Sequence, residues 1–406
     1  MSFEISELYR RDLPPAEAQW GGIPAFSFVG GNNDEENVPV AGLIEAVTRV
    51  LQREGRKLAV YNLGGSPLGH EDLRSFICQK LGVRASTNVD PDEVLITSGS
   101  LQALDLVNDL LLVPGDNVIV EEATYGGMIS RLTRLGAVVH GVSLDQSGVR
   151  PDHLAELLEQ CSSQGRPAKY LYTIPTVQNP TGSCMPVERR VEILGAMEGQ
   201  QTAIFEDDCY ADLLWGCDRP PTLWELDGPD RRVIYCGSFS KSIAPALRVG
   251  YIVAESPVLQ QILSLKTDAG SGALEQMVVA EYASAHFDKH ADRLTSVLKA
   301  KAEVMAEALE QHFGDSVHFE MPQGGIFMWL TFAEGVDTAT FSTQAATSGI
   351  EFNAGAGWSV DPHWGANKMR LCFGNPSAES IREGVQRLAQ IMGMAATNAA
   401  RRSAPI

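Results

Sequence analysis

Between about residue 90 and residue 255 short β-branched runs alternate with amphipathic stretches, the pattern of a parallel sheet wrapped by helices. The strand candidates are 94–97, 117–121, 137–142, 169–174, 202–207, 233–238 and 249–254, with helices predicted over 101–112, 124–135, 152–161 and 186–199. Pro186 suits the first turn of its helix, because the amide it lacks has no helical partner there. Apolar residues at helical spacing then run from about 274 to 312. After them the pattern changes to strands at 317–319, 325–332 and 369–373 and a closing helix over 377–392. The expected fold is α/β: a large domain over 40–290 with a mostly parallel seven-stranded sheet between helices, and a smaller α+β domain. The latter takes residues 1–39 and 291–406, and the tail from 395 to 406 is expected to fray.

A chain of 406 residues exceeds what one hydrophobic core usually organises, which agrees with two domains. With 44% hydrophobic and 20% charged residues it has the balance of a soluble globular protein. The formal charge of -19, with no run of Lys and Arg, argues against a nucleic acid or an anionic membrane as partner. The seven cysteines are scattered and include no C-x-x-C pair, so neither a disulfide framework nor a zinc site is indicated. With no apolar leader in the first eleven residues, a reduced, cytoplasmic setting is expected.

In open α/β sheets ligands bind beyond the carboxyl ends of the strands, and candidate chemistry collects there. Strand 94–97 runs into Ser98-Gly99-Ser100 and a helix, an arrangement that offers backbone amides and a positive dipole end to a phosphate. A glycine turn with a serine N-cap explains the same residues. Strand 169–174 leads into Gln178-Asn179-Pro180-Thr181-Gly182, which also reads as a plain turn. Strand 202–207 ends in Glu206, Asp207 and Asp208 with Tyr210 behind, and a buried carboxylate there needs a cation to meet it. Strand 233–238 is followed by Ser238-Phe239-Ser240-Lys241 and, seven residues on, Arg248. Lys241 is either a surface lysine or an amine made reactive by desolvation and neighbouring cations.

Taken in chain order, these segments resemble the fold type I pyridoxal-phosphate aminotransferases. Within them they are most similar to the class I/II group that contains aromatic and α-aminoadipate aminotransferases. The likeness extends from about Phe28 to Leu388. It implies that Lys241 binds the aldehyde of pyridoxal 5'-phosphate and that Asp207 keeps the ring nitrogen protonated. Asn179 and Tyr210 match partners of the phenolic oxygen. Gly99, Ser100, Ser238, Ser240 and Arg248 match the phosphate cup, and Tyr125 the aromatic that lies on the ring. Tyr61 resembles a tyrosine that reaches the phosphate from the second subunit of a homodimer. Arg370 matches the arginine that grips the substrate α-carboxylate with a fork that lysine lacks, although a strand salt bridge would also account for it. Asn179 and Gly31 resemble further substrate contacts.

The activity implied is amino-group transfer between an L-amino acid and a 2-oxo acid, with Lys241 moving the α-proton. The same motifs would serve elimination or replacement, decarboxylation, racemisation or condensation. With the pattern starting near Phe28 and an acidic net charge, a regulator with a DNA-binding domain ahead of the fold is not expected, and a dinucleotide enzyme lacks its G-x-G-x-x-G. The chain departs from the family's usual forms at Leu101, at Cys209 (expected to be a small packing residue), in the long 61–69 segment, and at 30–36 and 353–358, which would line the substrate entrance.

Overall fold

The computed structural model describes residues 3–10, 13, 16, 21–85, 89–228 and 231–393; the tail predicted to fray lies outside them. The seven predicted strands form one sheet in the order Val94–Thr97, Gly250–Val253, Val233–Ser238, Ala203–Asp207, Tyr170–Thr173, Asn117–Glu121, Val138–Val142. Side chains alternate along each strand, so each strand feeds two cores. Ile96, Ile119, Leu171 and Ile204 face one core, while Leu95, Val118, Val120, Tyr170, Tyr172 and Phe205 face the other.

Gly250–Val253 runs antiparallel to both of its neighbours, whereas the other pairs in this sheet are parallel. The connection from Ser238 to Gly250 is too short for the crossover that a parallel return requires. The reversal decides where Arg248 lies. Arg248 precedes a strand that starts at the edge where the others finish, so it joins the residues that follow Thr97, Glu121, Thr173, Asp207 and Ser238.

Four of the predicted helices occur with shifted ends: Ser100–Leu111, Gly126–Leu135, Pro151–Ser163 and Val187–Ala196. Pro186 is outside the first turn, being an extended N-cap with ψ 163°. Thr124 is also outside its predicted helix, because its amide bonds to the Trp358 carbonyl at 3.0 Å. The helices Val40–Glu54, Glu71–Ala85 and Ser256–Leu265 were not among the predicted elements. In the first of them the apolar residues do recur at helical spacing on one broad face, along which Ala46 and Val50 are buried while Val40, Ile44 and Leu51 are exposed.

The long helix Ala273–His312 supplies Val278 to Phe287 to the core of the large sheet and Leu294 to Leu309 to a separate core. That second core packs on a four-stranded antiparallel sheet ordered Val317–Phe319, Phe327–Phe332, Lys368–Cys372, Asn353–Ala354. Near the N-terminus Phe26–Ser27 pairs with Ile350–Glu351. The following segment crosses the edge of the large sheet, tied to the long helix by an Asp34–Lys301 ion pair. No described helix is long and apolar enough to cross a membrane.

Candidate active site

A cavity of about 470 Å³ opens where the strand ends of the large sheet face the small sheet and the 29–33 segment. Ser100, Tyr125, Asn179, Asp207, Tyr210, Ser240, Lys241, Arg248, Arg370 and Gly31 line it. Three of the predicted residues do not. Gly99 stands just behind the wall, and its amide is already bonded to the Thr97 carbonyl at 2.8 Å. Ser238 is buried and accepts the Ser240 amide at 3.1 Å. Tyr61 sits on the surface, 83% exposed.

The turn into helix Ser100–Leu111 depends on glycine at position 99. Gly99 is the N-cap with φ 79°, no side chain caps the helix, and a Cβ here would meet Arg248 Nη2 at 2.3 Å. A serine N-cap is therefore not the arrangement adopted. Arg248 also has positive φ (52°) and touches only the carbonyls of Pro245 and Ser98, each at 3.3 Å. Among the described residues it forms no ion pair, so it stands beside the helix start as an unneutralised cation.

Three consecutive buried acids end strand Ala203–Asp207, and they are not equivalent. Glu206 accepts the amides of Leu223 and Trp224, each at 2.9 Å, with the Arg190 guanidinium 3.7 Å away. Asp208 is held by Arg219 at 2.6 Å and Tyr235 at 3.0 Å. Asp207 has no arginine; Tyr172 donates to Oδ2 at 2.7 Å, and Oδ1 is buried without a hydrogen-bond partner. Burial pushes the Asp207 carboxyl above its ordinary value, against the stabilising Cys209 thiol and Tyr172 hydroxyl. A buried carboxylate facing a cavity with one oxygen unpartnered calls for a cationic N–H donor. Cys209, expected to be a packing residue, lines the cavity next to this carboxylate.

Lys241 donates to the Gly31 carbonyl, while the Asn33 side chain holds the Lys241 carbonyl at 2.6 Å. Burial lowers its pKa, and the Arg370 and Arg248 charges act in the same direction, which favours the neutral amine.

Arg370 is 3% exposed and, among the described residues, forms no ion pair, which removes the salt-bridge explanation. Its Nη1 donates to Asn179 Oδ1 at 3.1 Å; Nη2 donates to Asn353 Oδ1 at 2.6 Å and the Val29 carbonyl at 2.7 Å. The guanidinium is sandwiched between Phe327 and Trp358, 4.0 and 3.6 Å from the ring centroids. Burial brings its pKa down to about 10, which still leaves a cation at neutral pH.

Several residues that shape the site escaped the sequence reading. Tyr172 is one; Asn353 and Trp358 bound the 353–358 loop expected at the substrate entrance, but without individual roles. Glu121 is another, a fully buried carboxylate that accepts Thr173 Oγ1 at 2.7 Å, the Ile174 amide at 3.1 Å and Gln178 Nε2 at 2.8 Å. It thereby fixes the loop that carries Asn179. The one available signal was a polar group at the end of an apolar run, which must find partners when buried.

The class I and II aminotransferase family model matches residues 30–388. The aromatic-amino-acid aminotransferase 1 of Thermococcus litoralis is 31% identical, over 90% of this chain and 87% of its own. The 2-aminoadipate transaminase of Thermus thermophilus is 34% identical over 90% of each chain. The crystal structure of LysN, α-aminoadipate aminotransferase from Thermus thermophilus, complexed with N-(5'-phosphopyridoxyl)-L-leucine, superposes with a TM-score of 0.83. That likeness covers 91% of this chain and 92% of the other, at 32% identity. The partnerless oxygen of Asp207, the buried amine of Lys241, the unneutralised Arg248 and the glycine-turned helix start fit pyridoxal phosphate. The chain belongs to the class I and II aminotransferases, enzymes of fold type I that work with pyridoxal phosphate.

Proposed function

We propose that this cavity transfers the amino group of an L-amino acid to a 2-oxo acid, with the labour divided among the chain's own residues as follows. Bound pyridoxal phosphate supplies the electron sink that makes the substrate's α-proton acidic. Asp207, with Tyr172 holding its Oδ2, would pair through its free oxygen with the ring nitrogen and keep it protonated. Asn179 and Tyr210 attend the phenolic oxygen. Ser100, Ser240 and Arg248 hold the phosphate, with Gly99 and Ser238 shaping the cup behind them. Tyr125, which lines the cavity with its ring centroid 5.9 Å from that of Trp358, would cover one face of the cofactor ring.

Lys241 would hold the cofactor's aldehyde and, as a free amine, would move the proton at the substrate's α-carbon. A lowered pKa suits it to that exchange. Arg370 takes the α-carboxylate, helped by Asn179 and by the backbone at Gly31. The boundary near residue 290 falls where the long helix passes from one core to the other, and this supports a large unit over 40–290 and a small one built from both ends of the chain.

The same reading includes a homodimer working in the cytoplasm. Val40, Ile44 and Leu51 on one helix, with Leu58, Val60 and Tyr61 after it, are apolar and exposed, a stripe suited to covering by a second copy. On this reading Tyr61, exposed in the single chain, serves the partner's phosphate cup.

The observation that carries this reading is the set of three buried acids of which Asp207 alone lacks an arginine. Its test is to load the protein with pyridoxal phosphate, add single amino acids, and follow conversion to the pyridoxamine form. Borohydride is expected to trap the cofactor on Lys241. Trapping elsewhere, or no conversion with any donor, overturns the reading.

A further inference from the structure

The two side chains that grip the Arg370 fork are both carboxamides, and the second of them has no role in the scheme above. Asn353 stands directly across the antiparallel ladder from Arg370, in register with it. Residues opposite one another in such a ladder share a face, so the Asn353 side chain reaches the guanidinium without a detour. Its Oδ1 accepts from Nη2 at 2.6 Å, while Asn179 Oδ1 accepts from Nη1 at 3.1 Å. Both asparagines line the cavity. Neither Nδ2 group donates to a described residue, so each carboxamide has spent its oxygen on the arginine and kept its N–H donors.

We propose that Asn353 is a carboxylate-recognition residue of the transamination, orienting the Arg370 fork through Oδ1 and offering Nδ2 to the same carboxylate. The proposal deepens the reading in which Arg370 receives the α-carboxylate, and rests on it. A carboxylate has more lone-pair sites than one guanidinium edge can fill, and a flanking amide N–H supplies a further donor. The uncharged side chain matters too. An aspartate at 353 would hold the guanidinium just as well, but would neutralise it and compete with the incoming anion. An aliphatic residue would leave Nη2 to the backbone carbonyls and remove the extra donor. Asparagine orients the cation and leaves its charge for the substrate.

The α-carboxylate is common to the amino donor and the oxo acceptor, so Asn353 acts on both half-reactions. In the holoenzyme Asn353→Ala is expected to raise KM for donor and for acceptor together, each about 10-fold, with kcat little changed. Asn353→Asp is expected to raise both by about 100-fold, because a carboxylate then occupies the fork. Asn353→Gln, which keeps both the oxygen and the N–H donors, is expected to recover part of the loss. The cofactor's absorbance without substrate should not move in any variant.

Wild-type enzyme that transaminates, together with Asn353→Ala and Asn353→Asp enzymes whose two KM values stay within about 2-fold of it, overturns the proposal while leaving the parent reading intact. A rise in KM for one substrate alone also overturns it. Should Asn353→Ala fold poorly, the near-isosteric Asn353→Asp decides the matter by the same pair of KM values. Wild-type enzyme that converts no donor at all overturns the parent reading instead.

Discussion

Replacing Glu121 by Gln tests whether a buried acid beside the site stores a pH-dependent cost. Burial is the largest influence on this carboxyl and pushes it from 4.5 up to about 7; hydrogen bonds from Gln178, Thr173 and Ile174 offset part of the rise, and Asp207 adds to it. Because the folded-state pKa is raised, the native protein holds the proton more tightly than the unfolded chain between pH 4.5 and 7. Stability therefore falls as pH rises through that window and levels off above it. The shift of roughly 2.5 units corresponds to about 3 kcal/mol. Glutamine copies the protonated form. It presents an amide N–H to Gln178 Nε2 where Oε2 now accepts, a donor-to-donor contact that costs about 1–3 kcal/mol at any pH. The variant is thus less stable at pH 5, and its deficit shrinks or reverses by pH 8. For a chain of this length the difference in melting temperature should close by about 4 °C across that range. Parallel thermal melts of both proteins at pH 5, 6, 7 and 8 read it directly. A difference that stays flat, or widens as pH rises, refutes the reasoning.

Arg370→Lys removes a planar fork held at both ends and between two rings, so KM for amino donor and oxo acid should rise about 100-fold with the cofactor's spectrum unchanged. Steady-state kinetics in which both KM values stay put would remove Arg370 from substrate binding. Lys301→Met leaves the Asp34 carboxylate without its cation and the Gly374 carbonyl without the donor now 2.9 Å away. A loss of about 1–3 kcal/mol, read from the urea midpoint, is expected because both charges are largely shielded from water. Tyr61→Phe should leave folding untouched, since the side chain is exposed, yet weaken cofactor retention about 10-fold if the hydroxyl reaches a neighbour's phosphate. Equal cofactor loss from both proteins on dialysis would exclude that contact.

Much of the site was legible because its residues lie at strand ends, and strand ends can be found from local pattern. Ser100, Asn179, Asp207, Tyr210, Ser240 and Lys241 each follow an apolar run bounded by turn-forming residues, and all of them line the cavity. Gly99 and Ser238 share those motifs yet lie behind the wall, because motif spacing does not say which atom of a turn faces inward. Tyr172 and Glu121 escaped notice for a related reason. Inside a buried strand a polar tip looks like any other core position until the neighbouring strands bring its partner.

Local order along the chain was thus enough to establish the alternation of strands and helices and the sequence of motifs at the strand ends. Hydrophobic period and turn chemistry are short-range properties, and a linear pattern records them. Only the tertiary structure decided that Gly250–Val253 runs against its neighbours and brings Arg248 to the cavity. It alone showed that two of three adjacent acids already have an arginine, and that Asn353 faces Arg370 across a ladder. Those facts depend on strand direction and register between segments far apart in sequence, which no single stretch of residues encodes.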